Sequence, residues 1–512
     1  MKKLLSLLLT SVMAFSLVAC GSSGSSDTTA TNSTPATATG EAASENSESA
    51  TTDTPTKLVW SLKTWGTTPT DMDMVEEAIN THLLETYNIE VEILPIGIGD
   101  WNEKMNVMLA SPSEQLDLVA MNAAQFNSYT TKGQLQPLDD LLDTYGKDIQ
   151  TALGDYIVGG IVNGDTYAVT TIREMANGTG FIITQEAVDK IGADLSTVKA
   201  LEDYEPILAS LKEAYPDMYP LALMKSLPSV RYSMSYDPLG DEFGVLMDYE
   251  NGTTVTNLFA TEEYANYCKL MRKWYLAGYI SPDAATNENA NNAQVKAGTA
   301  LTYFSKTKPG IELENKNTLG EDVLSVEYRK PIATSASIQS AMWGIANNST
   351  HPQEAMILLN ALYSDPILIN LINYGIEGVH YEVKEDGTAG FLEGITAETS
   401  TYNLSMQWQM GNQYLTYVAE GNEPDLVDQL KKFNDEATAS AAMGFVFDQN
   451  NVATEVSALT SVVEQYANAL ETGSVDVDTV LPEFLSKLEA AGISNVISDK
   501  QAQLDAWVAT SK

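Results

Sequence analysis

Leu58-Val59-Trp60-Ser61-Leu62, Ile89-Glu90-Val91-Glu92-Ile93 and Leu116-Asp117-Leu118-Val119-Ala120 are three short apolar or alternating runs with helical patterns between them. Each predicts a strand. Between the first two, Thr70 opens a helix, because Asp71 and Asp73 suit its positive end and Val75, Ala78, Ile79 and Leu83 keep its spacing. Between the last two, Asp100-x-x-Glu103 resembles a capping box ahead of a helix through Met105 and Leu109. The order β-α-β-α-β predicts an α/β fold with helices on both faces of a sheet. Ligands of such sheets lie beyond the carboxyl ends of the strands. Here those ends are Trp65-Gly66-Thr67 and Met121-Asn122-Ala123.

Further along, Asn163-Gly164 between two apolar runs predicts a tight hairpin, and Asn251-Gly252 and Asp386-Gly387 predict two more. Thr261 is a helix cap ahead of Tyr264, Cys268, Met271 and Tyr275, with Gly278 at the end. A helix runs from about Pro352 through Ala355, Leu359 and Leu362. A late one has Pro482 near its first turn and Gly492 just past its end. With 512 residues, 44% of them hydrophobic, the chain has material for two or more cores.

At the other end, Lys2 and Lys3 precede an apolar run from Leu4 to Val18 that is too short to span a bilayer with its flanks. It reads as a cleaved export signal. The ending Leu17-Val18-Ala19-Cys20 resembles the lipobox of bacterial lipoproteins; the resemblance implies that Cys20 becomes the mature N-terminus and carries a diacylglycerol (palmitate among its acyl chains). The alternative is an ordinary secretory signal with an incidental cysteine. Residues 21–56 hold no Leu, Ile, Val, Met or aromatic and no Lys or Arg, so they are expected to form a disordered tether.

Lys plus Arg number 28 against 69 Asp plus Glu, a net charge of −41. That charge opposes binding to nucleic acid or to an anionic lipid surface. Of the two cysteines, Cys268 has no partner once Cys20 is lipidated, so no disulfide is expected. Catalytic signals are poor. The histidines, at 82, 351 and 380, make no metal-ligand pair, and no nucleophile-elbow, phosphate-loop or dinucleotide motif occurs. Asp71-x-Asp73 and Asp476-x-Asp478 lack the rest of a calcium loop. No cofactor, metal or catalytic residue is expected; His380 reads as structural, and Glu377 is the one acid to watch, its alternative role being hinge support.

Longer landmarks now stand together: Gln115-Leu116-Asp117-Leu118-Val119, the Asn163-Gly164 hairpin, Leu276-Ala277-Gly278-Tyr279-Ile280-Ser281-Pro282-Asp283, Met342-Trp343-Gly344-Ile345-Ala346 followed by His351-Pro352-Gln353-Glu354-Ala355, Tyr374-Gly375-Ile376-Glu377-Gly378-Val379-His380-Tyr381, and Gly444-Phe445-Val446-Phe447-Asp448. Their shared order, over residues 57–512, resembles the family-one extracellular solute-binding proteins, in particular a lipoprotein-type subgroup. The resemblance implies a two-lobed α/β clamshell, like periplasmic binding proteins, with a ligand cleft between the lobes. It implies a monomer, anchored on the outer face of the cell membrane through Cys20, that captures a sugar or oligosaccharide and delivers it to the permease subunits of an ABC importer. By family analogy the chain crosses between lobes near residues 175, 298 and 336. The organisation expected is 1–19 signal, 20–56 tether, 57–175 first lobe, 176–297 second lobe, 298–335 back in the first lobe, and 336–512 second lobe with a C-terminal helical region. Rival readings are a peptide or signal receptor of the same fold, and a surface-tethered glycoside hydrolase.

A sugar site needs flat aromatic faces against pyranose C–H groups and planar polar groups for the hydroxyls. Trp65 with Gly66, Asn122 and Trp343 sit in expected loops after strands. Arg173 follows the hairpin near a crossing, its alternative role being an ion pair with Glu174. Tyr303, Tyr374 and Trp408 complete the expected ligand-binding set; Trp60, Trp101 and Trp274 are expected in the core.

Overall fold

The computed structural model describes residues 54–225, 229–232, 234–404 and 406–510. The export signal, Cys20 and nearly all of the tether lie outside the described residues. In chain order the strands are β1 (Thr56–Thr64), β2 (Ile89–Gly97), β3 (Leu118–Met121), β4 (Ile161–Val162), β5 (Asp165–Thr166), β6 (Val169–Thr170), β7 (Asn177–Thr184), β8 (Tyr219–Ala222), β9 (Ala300–Thr307), β10 (Val323–Ala333), β11 (Met342–Ile345), β12 (Glu382–Val383), β13 (Ala389–Gly390) and β14 (Thr438–Ala439). Ten of them make two five-stranded mixed sheets, β2-β1-β3-β11-β6 and β14-β10-β7-β9-β8, each the centre of a lobe, and β4-β5 and β12-β13 are two-stranded. β1 runs parallel to β2 and β3, while β11 is antiparallel to β3 and β6.

The expected elements form, with local differences. The first helix is Met72–Tyr87, and it stops where Asn88 turns left-handed (φ 54°) and its N–H reaches the Leu83 carbonyl. Helix Trp101–Ala110 does begin after Asp100, but the Asp100 side chain caps nothing, so the Asp100-x-x-Glu103 box does not close. Asn163 (φ 55°) and Gly164 (φ 98°) take the left-handed pair of conformations that a two-residue hairpin between β4 and β5 demands. Asp386-Gly387 joins β12 to β13, whereas Asn251-Gly252 lies in a longer loop closed by a single antiparallel bridge between Val245 and Thr256 rather than in a tight hairpin. Thr261 caps Glu262–Leu276, accepting from the Tyr264 N–H. Pro482 sits inside helix Val477–Ala490 rather than near its first turn, because the helix starts earlier, capped by Asp476.

Each sheet has its own core. The first is built on Leu58, Trp60, Leu118, Trp343, Leu359, Leu362 and Met410; the second on Phe181, Tyr204, Tyr264, Trp274, Phe484 and Leu504. Sheet membership changes between Thr170 and Asn177, between Ala333 and Met342, and again between Met410 and Thr438. The expected return of 298–335 to the first lobe is therefore corrected. β9 and β10 both pair with β7, which places them in the second lobe's sheet. Residues 342–410 instead complete the first lobe, and the chain goes back to the second only after Met410. A strand's pattern reports burial, not the neighbour it pairs with.

The crossings are knitted into one block. Ile172 N–H donates to the Gly411 carbonyl (2.8 Å) and Gln413 N–H to the Ile172 carbonyl (2.9 Å). Thr171 N–H donates to Ala341 (3.0 Å), and Asn434 bridges Arg173 and Met175 through its amide. Gly411 (φ 54°) is required here, since a Cβ would stand 2.2 Å from the Leu362 carbonyl oxygen.

Among the described residues no single helix is long and apolar enough to cross a membrane.

Candidate functional site

Trp65 follows the carboxyl end of β1 with its indole about half exposed (56%). Across from it stands Trp408, ring centres 6.0 Å apart and planes tilted by 48°. Gly66 is exposed beside Trp65. Trp408 in turn borders a cavity of about 450 Å³. One wall comes from the first lobe and the segment leaving it: Tyr374, Gln407, Trp408, Gln413 and Tyr417. The other comes from the end of β9 and the helix Ile311–Leu319, with Lys308, Glu314 and Asn317. Glu174, in the first crossing, and Asn422, ahead of the helix Leu426–Asp435, complete it. Tyr374 donates its hydroxyl to the Tyr417 carbonyl (2.8 Å) and lies 5.3 Å from the Tyr381 ring; burial pushes its phenol up to about 12.

The polar wall is charged. Lys308 Nζ stands 3.4 Å from Glu174 Oε1 and 2.8 Å from Glu314 Oε1. Burial alone would raise the Glu174 carboxyl and lower the Lys308 ammonium. The mutual attraction prevails in both: Lys308 and Arg173 hold Glu174 below its usual value, and Glu174 and Glu314 hold Lys308 above its own. Both groups are therefore charged at neutral pH.

The expected site residues divide. Tyr374 and Trp408 border the cavity and Trp65 adjoins it. Arg173 is buried behind Glu174. Its Nη1 is 3.2 Å from Glu174 Oε1, and its Nη2 donates to the Ser337 carbonyl (2.8 Å) and to Ser340, so it ties crossings together and does not face the cavity. Asn122 caps the helix Ala123–Thr131, exchanging bonds with Gln125, which occupies its carbonyl oxygen. Tyr303 is buried beneath helix Ile311–Leu319, its hydroxyl donating to Asn315. Trp343 is a correction of larger consequence. It lies within β11, 1% exposed, edge-on to Trp60 at 6.0 Å, with its indole N–H donating to the Gln409 carbonyl (2.6 Å). The expected loop is a central strand, so the ring is core. Trp60, Trp101 and Trp274 are core as expected.

His380 is buried, accepts from the Ile376 N–H at Nδ1 (2.9 Å) and so presents its Nε2–H to Asp71 (3.3 Å), a structural bond between loop and helix. Glu377 is exposed. Glu174 enters the sequence reading only as the ion-pair partner of Arg173, the role that the structure gives it, and Lys308, Glu314 and Gln413 carry no signal there. Glu174, Lys308 and Gln413 flank a crossing or a strand end and Glu314 lies in the helix Ile311–Leu319, positions that local pattern does not mark as a site.

Near Asn122 lies a buried amine. Lys63 packs over the Trp101 ring (4.7 Å) and reaches Gln125 Oε1 at 3.5 Å, and among the described residues it has no ion pair. Burial lowers its pKa to about 8. The folded state thus holds this proton less tightly than the unfolded chain, so folding is penalised below about pH 8 and the penalty lifts as pH rises from there toward 10.5. Lys63→Met is expected to stabilise the protein near neutral pH and to flatten that rise, as measured by urea melts across the range.

Residues 77–379 match the family model described as bacterial extracellular solute-binding protein, more than half of the chain. The chain belongs to that family. Residues 441–509 also match a domain of unknown function, DUF3502. A "Carbohydrate ABC transporter substrate-binding protein" of Streptococcus pneumoniae is 30% identical over 458 residues, 87% of this chain and 90% of its own length. The crystal structure of the N-glycan transport solute binding protein NgtS from the same organism is similar at 28% identity and a TM-score of 0.79, covering 89% of this chain and 100% of that one. With NgtS in complex with Man1GlcNAc or Man5GlcNAc the TM-score is 0.69 or 0.66, at 28% and 29% identity; 89% of this chain is covered in both, with 100% and 99% of the other. For a member of this solute-binding family, the cavity between its two lobes is the place to seek the solute.

Proposed function

We propose that the protein captures an oligosaccharide between its lobes and hands it, chemically unchanged, to the permease of an ABC importer. The observation that carries this reading is the aromatic wall of Trp408, Tyr374 and Tyr417, extended by Trp65 beside Trp408, facing amides and charged groups across a cavity of about 450 Å³. Flat rings take the apolar faces of pyranoses, and planar polar groups take the hydroxyls. The carbohydrate and N-glycan relatives support the ligand class. The lower TM-scores against the glycan complexes support a crevice whose width changes with ligand, a movement of two lobes about their crossings.

A thermal-shift screen against glycans and peptides tests it. A glycan at 100 times its Kd should add about 2.7 kcal/mol of stability, whereas stabilisation by peptides alone would favour the receptor reading. Once a glycan is found, Trp65→Ala or Trp408→Ala is expected to weaken it by about 5–150-fold, that is ~1–3 kcal/mol, with the ligand-free melting temperature nearly constant. A steep fall in melting temperature with affinity retained would remove these rings from the site.

The same proposal places the protein on the outer membrane surface through a lipid on Cys20, supported by the lipobox-like Leu17-Val18-Ala19-Cys20 and the polar stretch behind it. Cys20→Ala is expected to shift the protein from the membrane fraction to the medium, or to leave it unprocessed. Membrane association unchanged by the substitution would refute the anchor.

A further inference from the structure

We infer that the crevice selects neutral glycans over acidic ones, and that Glu174, Lys308 and Glu314 set this preference. The inference rests on the carbohydrate reading and deepens it. The ammonium that an incoming anion would seek is already bracketed by two carboxylates, at 3.4 Å and 2.8 Å. A carboxylate or sulfate drawn to Lys308 therefore meets Glu174 and Glu314 at nearly the same distance. The other cation nearby, Arg173, is buried behind Glu174 and gives its Nη atoms to Glu174, Ser337 and Ser340. Among the buried side-chain atoms of residues that border the cavity, unused capacity is of the accepting kind; the unpaired Nε of Arg173 lies behind Glu174 and does not border it. Glu174 Oε2 and Gln413 Oε1 are buried, on residues that border the cavity, with no donor among the described residues. Sugar hydroxyls bring donors to such a wall, whereas acidic groups bring only more acceptors and more negative charge. The net charge of −41 acts in the same direction at longer range.

Calorimetric titration of the full chain with two forms of one glycan tests this. The probes are Man5GlcNAc and the same glycan with its primary hydroxyls oxidised to carboxylates, followed by a panel of other neutral oligosaccharides and their oxidised forms. The neutral form should bind, and the oxidised form should be weaker by about tenfold or more at low salt, with added salt narrowing the gap. Glu314→Gln, on the exposed side of Lys308, should narrow it chiefly by strengthening the oxidised form. Glu174→Gln should do the same, and its melting temperature reports separately on the fold. Equal or tighter binding of oxidised glycans by the native protein overturns the inference, as does a gap that neither substitution changes. Absence of binding by any glycan, neutral or oxidised, overturns the carbohydrate reading itself and this one with it.

Discussion

Trp343→Ala is expected to lower the stability of the ligand-free protein by about 3–5 kcal/mol, while whatever remains folded keeps its affinity. The ring is 1% exposed and sits in β11 between β3 and β6. It packs edge-on against Trp60, and its N–H donates to the Gln409 carbonyl, so truncation opens a cavity and strands a buried acceptor at once. Trp343→Phe refills part of the volume but not the hydrogen bond, and should fall between. Chemical denaturation gives the stability and titration with a confirmed glycan gives the affinity. A variant that melts normally but binds weakly would return this tryptophan to the ligand site.

Lys500→Ala should cost a similar ~3–5 kcal/mol, the usual penalty for removing one partner of a buried ion pair. Lys500 is fully buried in the helix Ile493–Thr510. Its ammonium is 2.6 Å from Asp241 and 2.9 Å from the Gly244 carbonyl, and it lies over the Phe447 ring. Burial lowers its pKa, and burial also raises the carboxyl of neighbouring Asp237. Without the cation, the Asp241 carboxylate keeps only the Gln449 amide and the Phe243 N–H, and Asp237 loses its nearby counter-charge. Hydrogen exchange should show the last helix losing protection before the first lobe does. Combining Lys500→Met with Asp241→Asn should recover much of the loss, because the carboxylate that Lys500 contacts directly is then no longer left charged without its partner. A full loss in the double variant would mean that packing, not charge, fastens this helix.

Periodic or strongly capped segments were legible in the sequence; features that depend on pairing across the fold were not. β1 and its exposed Trp65 could be read because an apolar run ends abruptly in Gly66-Thr67-Thr68-Pro69. Thr261 announced its helix, and Asn163-Gly164 its hairpin, through chemistry confined to a few residues. Met342–Ile345 is only four residues long and wholly buried, so it shows no alternation, and Trp343 read as a loop residue. The run that becomes β9 carries no mark of the sheet it joins, so family analogy set it in the other lobe. Nothing in the sequence around Lys500 marks it as buried; only the fold packs the second lobe around it. Glu174 and Lys308 are well over a hundred residues apart in sequence, and meet because a crossing passes the end of β9.

β11 occupies an inner place in the first sheet although it is translated after all but one strand of the second. A chain emerging N-terminus first therefore presents β1, β2, β3 and β6 while the strand that joins β6 to the others is still unmade. Until it arrives, β3 has a bare edge and Trp60 lacks its aromatic neighbour. The second lobe waits too, for β14 and the C-terminal helices that fill its core. Both halves are thus completed late and almost together, through pairings distant in sequence that form slowly. The growing polypeptide therefore lacks a finished sheet in either lobe for most of its synthesis. Neither lobe can be cut out as one continuous fragment.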